Sequence, residues 1–340
     1  MGMAEFSPNH ALNGMIEDRI EPEVSHRLLQ RVRSKIDSVL LGKQETVTLA
    51  MTTLLGGGHL LLEDVPGVGK TMLARAFAKV IGGEFARIQF TPDMQPSDVT
   101  GGMVWDAKRG DFIFRPGPIM CNVVLADEMN RTTPRTQSAL LEAMEERSVS
   151  ADGITRRLPE PFMLIATQNP LRDEGTYPLP EAQLDRFMMR LSIGYPAASD
   201  EIRMLAADNG PGPLELLRPV VLPEEWAALQ LAARKVHVHE SLFAYVVEAA
   251  AATRKAPELV LGASPRASRD WVRAAQAKAY IEGRGFVLPD DLKTTASAVL
   301  LHRLVLRPEL EGSDGQADVL ERILTRQPLP AQASGTGRRR

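Results

Sequence analysis

Hydrophobic positions fall into two rhythms along this chain. From about Glu23 to Leu41, Val24, Leu28, Leu29, Val32, Ile36, Val39 and Leu40 recur at spacings that gather them on one face of a helix, which Gly42 closes. A second apolar helix is expected from about Glu45 to Leu55, broken by Gly56, Gly57 and Gly58 before HLLLEDV, which reads as a buried strand. Strands ARIQF and NVVLAD, the helix TQSALLEAMEE and the strand PFMLIATQ follow in alternation to about Tyr195. Such alternation predicts an α/β fold, a parallel sheet sandwiched by helices. Two interruptions, AKRGD at Ala107 to Asp111 and SADGI at Ser150 to Ile154, read as short hairpins projecting from it.

After Pro196 the strand signals fade and alanine- and leucine-rich helical segments take over, such as SLFAYVVEAAAATRKA and PRASRDWVRAAQAKAYIEG. The expected division is a flexible N-terminal extension over 1–22, an α/β nucleotide-binding domain with two hairpin inserts over 23–195, a smaller all-helical domain over 196–326 and a flexible tail over 327–340. Hydrophobic residues make up 44% and charged residues 24%, the balance of a globular chain that can fill a core. The formal net charge of -3 lacks the basic footprint of a general nucleic-acid binder. Cys121 is the single cysteine, which excludes an intrachain disulfide and fits a reducing cytoplasm. The first twenty residues lack the apolar core of a signal peptide, and no window is apolar for long enough to cross a bilayer, so direct membrane insertion is not expected.

Chemistry concentrates after the first buried strand. HLLLEDV runs into PGVGKT and then into the helix MLARAFAKVIG, the strand, loop and helix context that a phosphate-binding loop requires. Gly67 and Gly69 permit backbone torsions that turn N–H groups towards phosphate at a helix N-terminus, and Pro66, Val68 and Met72 complete the contact segment. Lys70 reaches the outer phosphates, and Thr71 offers a hydroxyl to a magnesium ion. The general pattern has glycine five residues before Gly69, where this chain carries Asp64.

Further motifs follow in an order that suits phosphoryl transfer. Asp127 ends the hydrophobic strand NVVLAD, where a carboxylate can hold the metal, and Glu128 follows as the group to orient or deprotonate an attacking water. Asn169, after the strand MLIATQ, offers an amide to that water and to the terminal phosphate. Arg186 in LPEAQLDRF carries a planar guanidinium suited to the charge of the transferring phosphoryl group, in its own site or a neighbouring subunit's; Arg190 competes for the same role. Arg266, near the start of a helix in GASPRASRDW, is expected to fold over bound phosphate, with Arg269 one turn on. His237 and His239 share a face in VHVHE without further ligands and read as a solvated segment.

The runs LLEDVPGVGKT, VLADEMNR, LLEAMEE, IATQNP and LPEAQLDRF closely resemble the MoxR family of AAA+ ATPases, over roughly residues 23 to 325. Asp64 looks like that family's own version of the loop. The resemblance implies an AAA+ core with a helical lid, ATP and Mg2+ as ligands, and hydrolysis of ATP. It makes Gly67, Gly69, Lys70 and Thr71 Walker A, Asp127 and Glu128 Walker B, Asn169 sensor 1, Arg186 the arginine finger and Arg266 sensor 2. Val39, Leu40 and Gly42 resemble the segment lining the adenine pocket, the hairpins the helix-2 insert and the pre-sensor-1 hairpin, and Arg131 stands where an intersubunit contact is plausible. A homo-hexameric ring, chaperone-like maturation of a protein substrate and a partner with a von Willebrand factor A domain are implied by the same resemblance. A chelatase-like or nucleic-acid-directed motor, and an assembly switch with little turnover, are the alternatives.

Overall fold

The computed structural model describes residues 22–151, 153–168, 176–206, 212–310 and 315–327. Asn169, the proposed N-terminal extension up to residue 21 and the proposed tail from residue 328 lie outside the described residues.

Helices Pro22–Asp37 and Gln44–Leu55 lead into β1 (Leu60–Glu63), and the helix Lys70–Val80 follows the loop. β2 (Phe85–Gln89) comes next, then a hairpin of β3 (Gly101–Asp106) and β4 (Asp111–Pro116), then β5 (Val123–Asp127) and the helix Pro134–Glu146. A second hairpin, β6 (Ser148–Ala151) and β7 (Ile154–Arg157), precedes β8 (Met163–Gln168) and the short β9 (Met189–Leu191). The central sheet has the order β2-β5-β8-β1-β9, and every neighbouring pair in it is parallel. The expected α/β class, a parallel sheet with helices about it and a helical second unit, is borne out. Parallel strands end at one edge, so Glu63, Gln89, Asp127 and Gln168 all arrive at the same rim of the sheet.

Alternation along the strands splits the interior in two. Leu60, Leu62, Val123, Leu125, Met163 and Ile165 enter one core, whereas Leu61, Val124, Ala126, Leu164 and Ala166 enter the other with Phe90, Phe162 and Phe187. The first core continues into the helical unit, where Trp226, Leu229, Tyr245, Trp271 and Leu292 belong to the same cluster. The two units therefore share one interior. Trp226 and Trp271 are fully buried, and Trp271 also donates from its indole to Leu292 O at 2.8 Å.

A buried ionic knot joins the units at a second place. Arg303 donates to the carbonyls of Asp185 (3.1 Å) and Phe187 (2.7 Å) and to the carboxylate of Asp270 (2.8 Å), with its Nε 3.2 Å from Asp185. Ser264, at the N-cap of the helix Pro265–Ile281, donates to Asp185 as well. The short stretch that carries Arg186 is thus held by the helical unit on both of its sides.

Two buried histidines mark the same region. His59 accepts from Leu164 N at Nδ1 (3.1 Å); burial first, then the charge of Arg147, pushes its pKa from 6.5 down to about 3. Burial also holds His302 well below 6.5. A native state that refuses these protons is favoured above the unfolded-state value and loses ground as pH falls from 6.5 towards 3. The urea midpoint should fall between pH 7 and pH 5, with up to about 1.4 kcal/mol lost per pH unit for each histidine below its unfolded pKa. A flat profile over that window would mean that the rings take up protons in the folded protein.

Candidate functional site

The loop after β1 forms because Gly67 and Gly69 hold φ of 86° and 101°, a left-handed region that costs a side-chain-bearing residue energy. A Cβ built on Gly67 meets nothing within 4 Å, so the loop opens onto free space at the N-terminus of the helix Lys70–Val80. Pro66, Gly67, Gly69, Lys70, Thr71, Met72, Arg75, Arg87, Gln89, Asp127, Glu128 and Leu214 line one cleft of about 450 Å³. The glycine loop and the Asp127–Glu128 pair, far apart in the chain, meet there. Val68 and Met72 pack on the first core, and Leu40 approaches a Cβ built on Gly69 to 4.0 Å, which ties Val39–Leu40 to the loop. Gly42 lies farther out, against Asp200.

Charge in this cleft is internally paired. The Lys70 ammonium donates to the carbonyls of Asp64 (2.7 Å) and Val65 (3.2 Å). Arg87 donates through Nε (3.0 Å) and Nη2 (2.6 Å) to one oxygen of Asp127, while Thr167 donates to the other at 2.6 Å. Glu128 sits at φ 56°, unusual for a residue with a side chain, and its N–H donates to the same Thr167 hydroxyl at 2.9 Å. Its carboxylate accepts from Gln89 (2.9 Å) and Arg131 (3.0 Å). Arg131 therefore faces its own protomer's Glu128. Thr71 and Asp127 supply hard oxygen donors in one cleft, a set that suits a magnesium ion.

Asp64 shows why this loop departs from the general pattern. Its carboxylate accepts from Val65 N (3.0 Å), Ser192 Oγ (3.0 Å), Ile193 N (2.5 Å) and Gly194 N (2.7 Å). Burial raises its pKa, but those hydrogen bonds, led by Gly194, outweigh it and hold the group below the usual value. The loop's first residue is thereby pinned to the chain leaving β9. A glycine could not make that anchor.

The candidate arginines go elsewhere. Arg186 and Arg266 line a different cavity of about 220 Å³ with Gly57, Gly58, His59, Met144, Glu145, Arg147, Met188, Arg269, Asp270 and Arg273. Arg266, expected to fold over bound phosphate, meets Glu145 at the junction of the two units and does not line the Lys70 cleft. The reason is packing: the helix that bears it lies against the helix Gln44–Leu55 and is fastened by the Ser264 and Asp270 contacts. Arg190 lies within β9 and pairs with Glu63 at 2.9 Å, away from the Arg186 cavity. His239 accepts from Ser241 N and caps the helix Glu240–Lys255.

Arg87, Gln89 and Thr167 escaped the reading of motifs. A signal existed for the first two: Arg87 and Gln89 alternate on β2 and register against Leu125 and Asp127 of β5, two polar groups where a buried strand would carry apolar ones. Replacing Asp64 with glycine should strand the N–H groups it satisfies and lower stability by about 2–3 kcal/mol. Nucleotide affinity should stay within about threefold. Urea unfolding and nucleotide titration of Asp64→Gly check both, and unaltered stability would remove the anchor.

Comparison with known proteins agrees with this geometry. Residues 59–189 match the profile of the ATPase family associated with various cellular activities (AAA), and residues 251–323 match the AAA lid domain. The chain is 40% identical over 312 residues to Chaperone MoxR1 of Mycobacterium tuberculosis, covering 89% of this chain and 82% of that protein. Protein MoxR of Paracoccus denitrificans is 31% identical, covering 84% and 91% of the two chains. A crystal structure assigned by name as an ATPase, from Cytophaga hutchinsonii, superimposes with a TM-score of 0.85 at 35% identity, over 91% of this chain and 97% of the other. The ATPase and lid profiles both match, relatives named MoxR align with more than four fifths of the chain, and this chain belongs to the MoxR family of AAA+ ATPases.

Proposed function

We propose that this ATPase hydrolyses magnesium-bound ATP in a ring, a homo-hexamer, whose protomers complete one another's sites, and that it spends the cycle on chaperone-like remodelling of a partner complex. The observation that carries the reading is the separation of the two cavities. Lys70, Thr71, Asp127 and Glu128 share one, while Arg186 and Arg266 share another with a different opening. Arginines held by the lid junction cannot close on their own protomer's loop without undoing the Arg303 knot, whereas a neighbouring loop can be brought to them.

Within the cleft, the Gly67 and Gly69 backbone turns N–H groups to the phosphates, and Lys70 leaves its two carbonyl partners to neutralise the outer ones. Thr71 and Asp127 would hold a magnesium ion, which would supply charge to offset that of the phosphates. Arg87 must release Asp127, and Gln89 and Arg131 must release Glu128, before the acids are available. Glu128 then accepts the proton of the attacking water, Asn169 orients that water, and the neighbour's Arg186 and Arg266 take up charge on the phosphoryl group as its bond to the leaving oxygen breaks.

A protein substrate suits the outer surface. The β3–β4 hairpin carries Trp105 and Phe112, 55% and 57% exposed and packed edge to face, beside exposed Val104. Net charge of -3 suits polypeptide better than nucleic acid. A von Willebrand factor A domain protein is the proposed partner, and the cytoplasm the proposed compartment; no described helix is long and apolar enough to cross a membrane.

Glu128→Gln should bind ATP normally and turn over at least about 100-fold more slowly, and it should retain partners on affinity purification in ATP. Arg186→Ala and Arg266→Ala should each lower kcat by about 100-fold or more with nucleotide affinity of the protomer retained. Steady-state kinetics beside titration of a fluorescent nucleotide distinguish these effects. Loss of affinity in either arginine variant would return that arginine to its own protomer's cleft.

A further inference from the structure

We propose that Glu145 is a positioning residue for the neighbouring subunit's reaction: its carboxylate clips Arg186 of the α/β unit and Arg266 of the lid into a pair, presented together to the terminal phosphate of the adjoining protomer's nucleotide. The inference rests on the reading that these arginines act in trans.

Glu145 stands near the end of the helix Pro134–Glu146. Arg186 Nε lies 3.2 Å from its Oε2, and Arg266 Nη2 donates to its Oε1, so each guanidinium holds one oxygen of the same carboxylate. Arg186 also donates through Nη1 to Leu141 O at 2.8 Å, one turn earlier on that helix. One helix end therefore orients a core arginine at two points and a lid arginine at one.

Two guanidiniums drawn so close repel each other, and the Glu145 carboxylate between them offsets that repulsion. It does so without cancelling the cavity. Arg147, Arg269 and Arg273 line the same space, and the other acid there, Asp270, is already engaged by Arg303. Five arginines against Glu145 and a spent aspartate leave a site that attracts an anion. Each guanidinium has five N–H donors, so the grip on Glu145 leaves others to meet phosphate oxygens.

A role in folding is the competing explanation, and exposure argues against it. The side chains are 29% exposed for both arginines and 36% for Glu145, and ion pairs so open to water contribute only about 0–1 kcal/mol. Geometry is what this contact can supply. A misplaced charge at the reacting phosphate costs rate even where stability hardly changes.

Glu145→Gln keeps the size and removes the charge. Its kcat should fall by about 10–100-fold, with nucleotide affinity of the protomer within about twofold of the parent protein. Subunit mixing then assigns the effect. An equimolar mixture of Glu145→Gln and Glu128→Gln should show more ATPase activity than either variant alone, because a Glu145→Gln subunit keeps its own Glu128 and receives a well-placed arginine pair from a Glu128→Gln neighbour. The mixture of Arg186→Ala with Glu128→Gln is the control for action in trans. If the control recovers and the Glu145 mixture does not, Glu145 acts inside its own protomer and the clip is overturned while the trans reading stands. If the control fails to recover, the trans reading falls and the clip with it. Full activity of Glu145→Gln by itself also overturns the clip.

Discussion

Much of this molecule hangs on a single buried cation. Arg303 reaches from the lid into the junction and binds the Asp185 and Phe187 carbonyls together with the carboxylate of Asp270. Burial pushes its pKa down while Asp270 and Asp185 push it up, so the charge persists only because acids and carbonyls surround it. With both flanks of Arg186 held in this way, the lid and the arginine-bearing stretch move as one body. The shared hydrophobic core through Trp226 and Trp271 adds area to the junction; the ionic knot adds direction.

A second constraint works at the rim of the sheet. Parallel strands bring Glu63, Gln89, Asp127 and Gln168 to one edge, where the loop after β1 opens. There, Lys70 has carbonyl partners, Asp127 has Arg87, and Glu128 has Gln89 and Arg131. Such pairing avoids stranded charge in a half-buried cleft. On the proposed function, a triphosphate and its metal would enter by exchange, with Lys70 leaving its carbonyls and Asp127 its guanidinium. Asp64, fixed to Ser192, Ile193 and Gly194, connects that exchange to the chain that runs towards the lid.

The two cavities are what the proposed ring rests on in this chain's own residues. One presents the loop and acids, the other a positive pocket between core and lid whose arginines are held at fixed points. On the proposed function, a protomer so built would supply half of each of two sites. A solved relative with 17% identity, an MCM homolog from Methanopyrus kandleri, shares the fold at a TM-score of 0.54, and it speaks for the fold alone.

By itself the amino-acid order determined what depends on short spacing. Short continuous apolar strands, period-3.6 helices, the glycines of the loop and acids placed directly after an apolar strand are local patterns, and local sterics and burial enforce them wherever they occur. The α/β class, the phosphate loop and the Asp127–Glu128 pair were legible for that reason. Tertiary structure alone decided the partners that arrive from elsewhere in the chain. Arg87 on Asp127, Asp64 under Gly194, Arg190 on Glu63 and Arg266 beside Arg186 are contacts across 40 to 130 residues of sequence, set by sheet register and by how the lid helix packs. A guanidinium carries no local signature of its partner, because its long side chain pairs with whichever acid the packed backbones bring within reach.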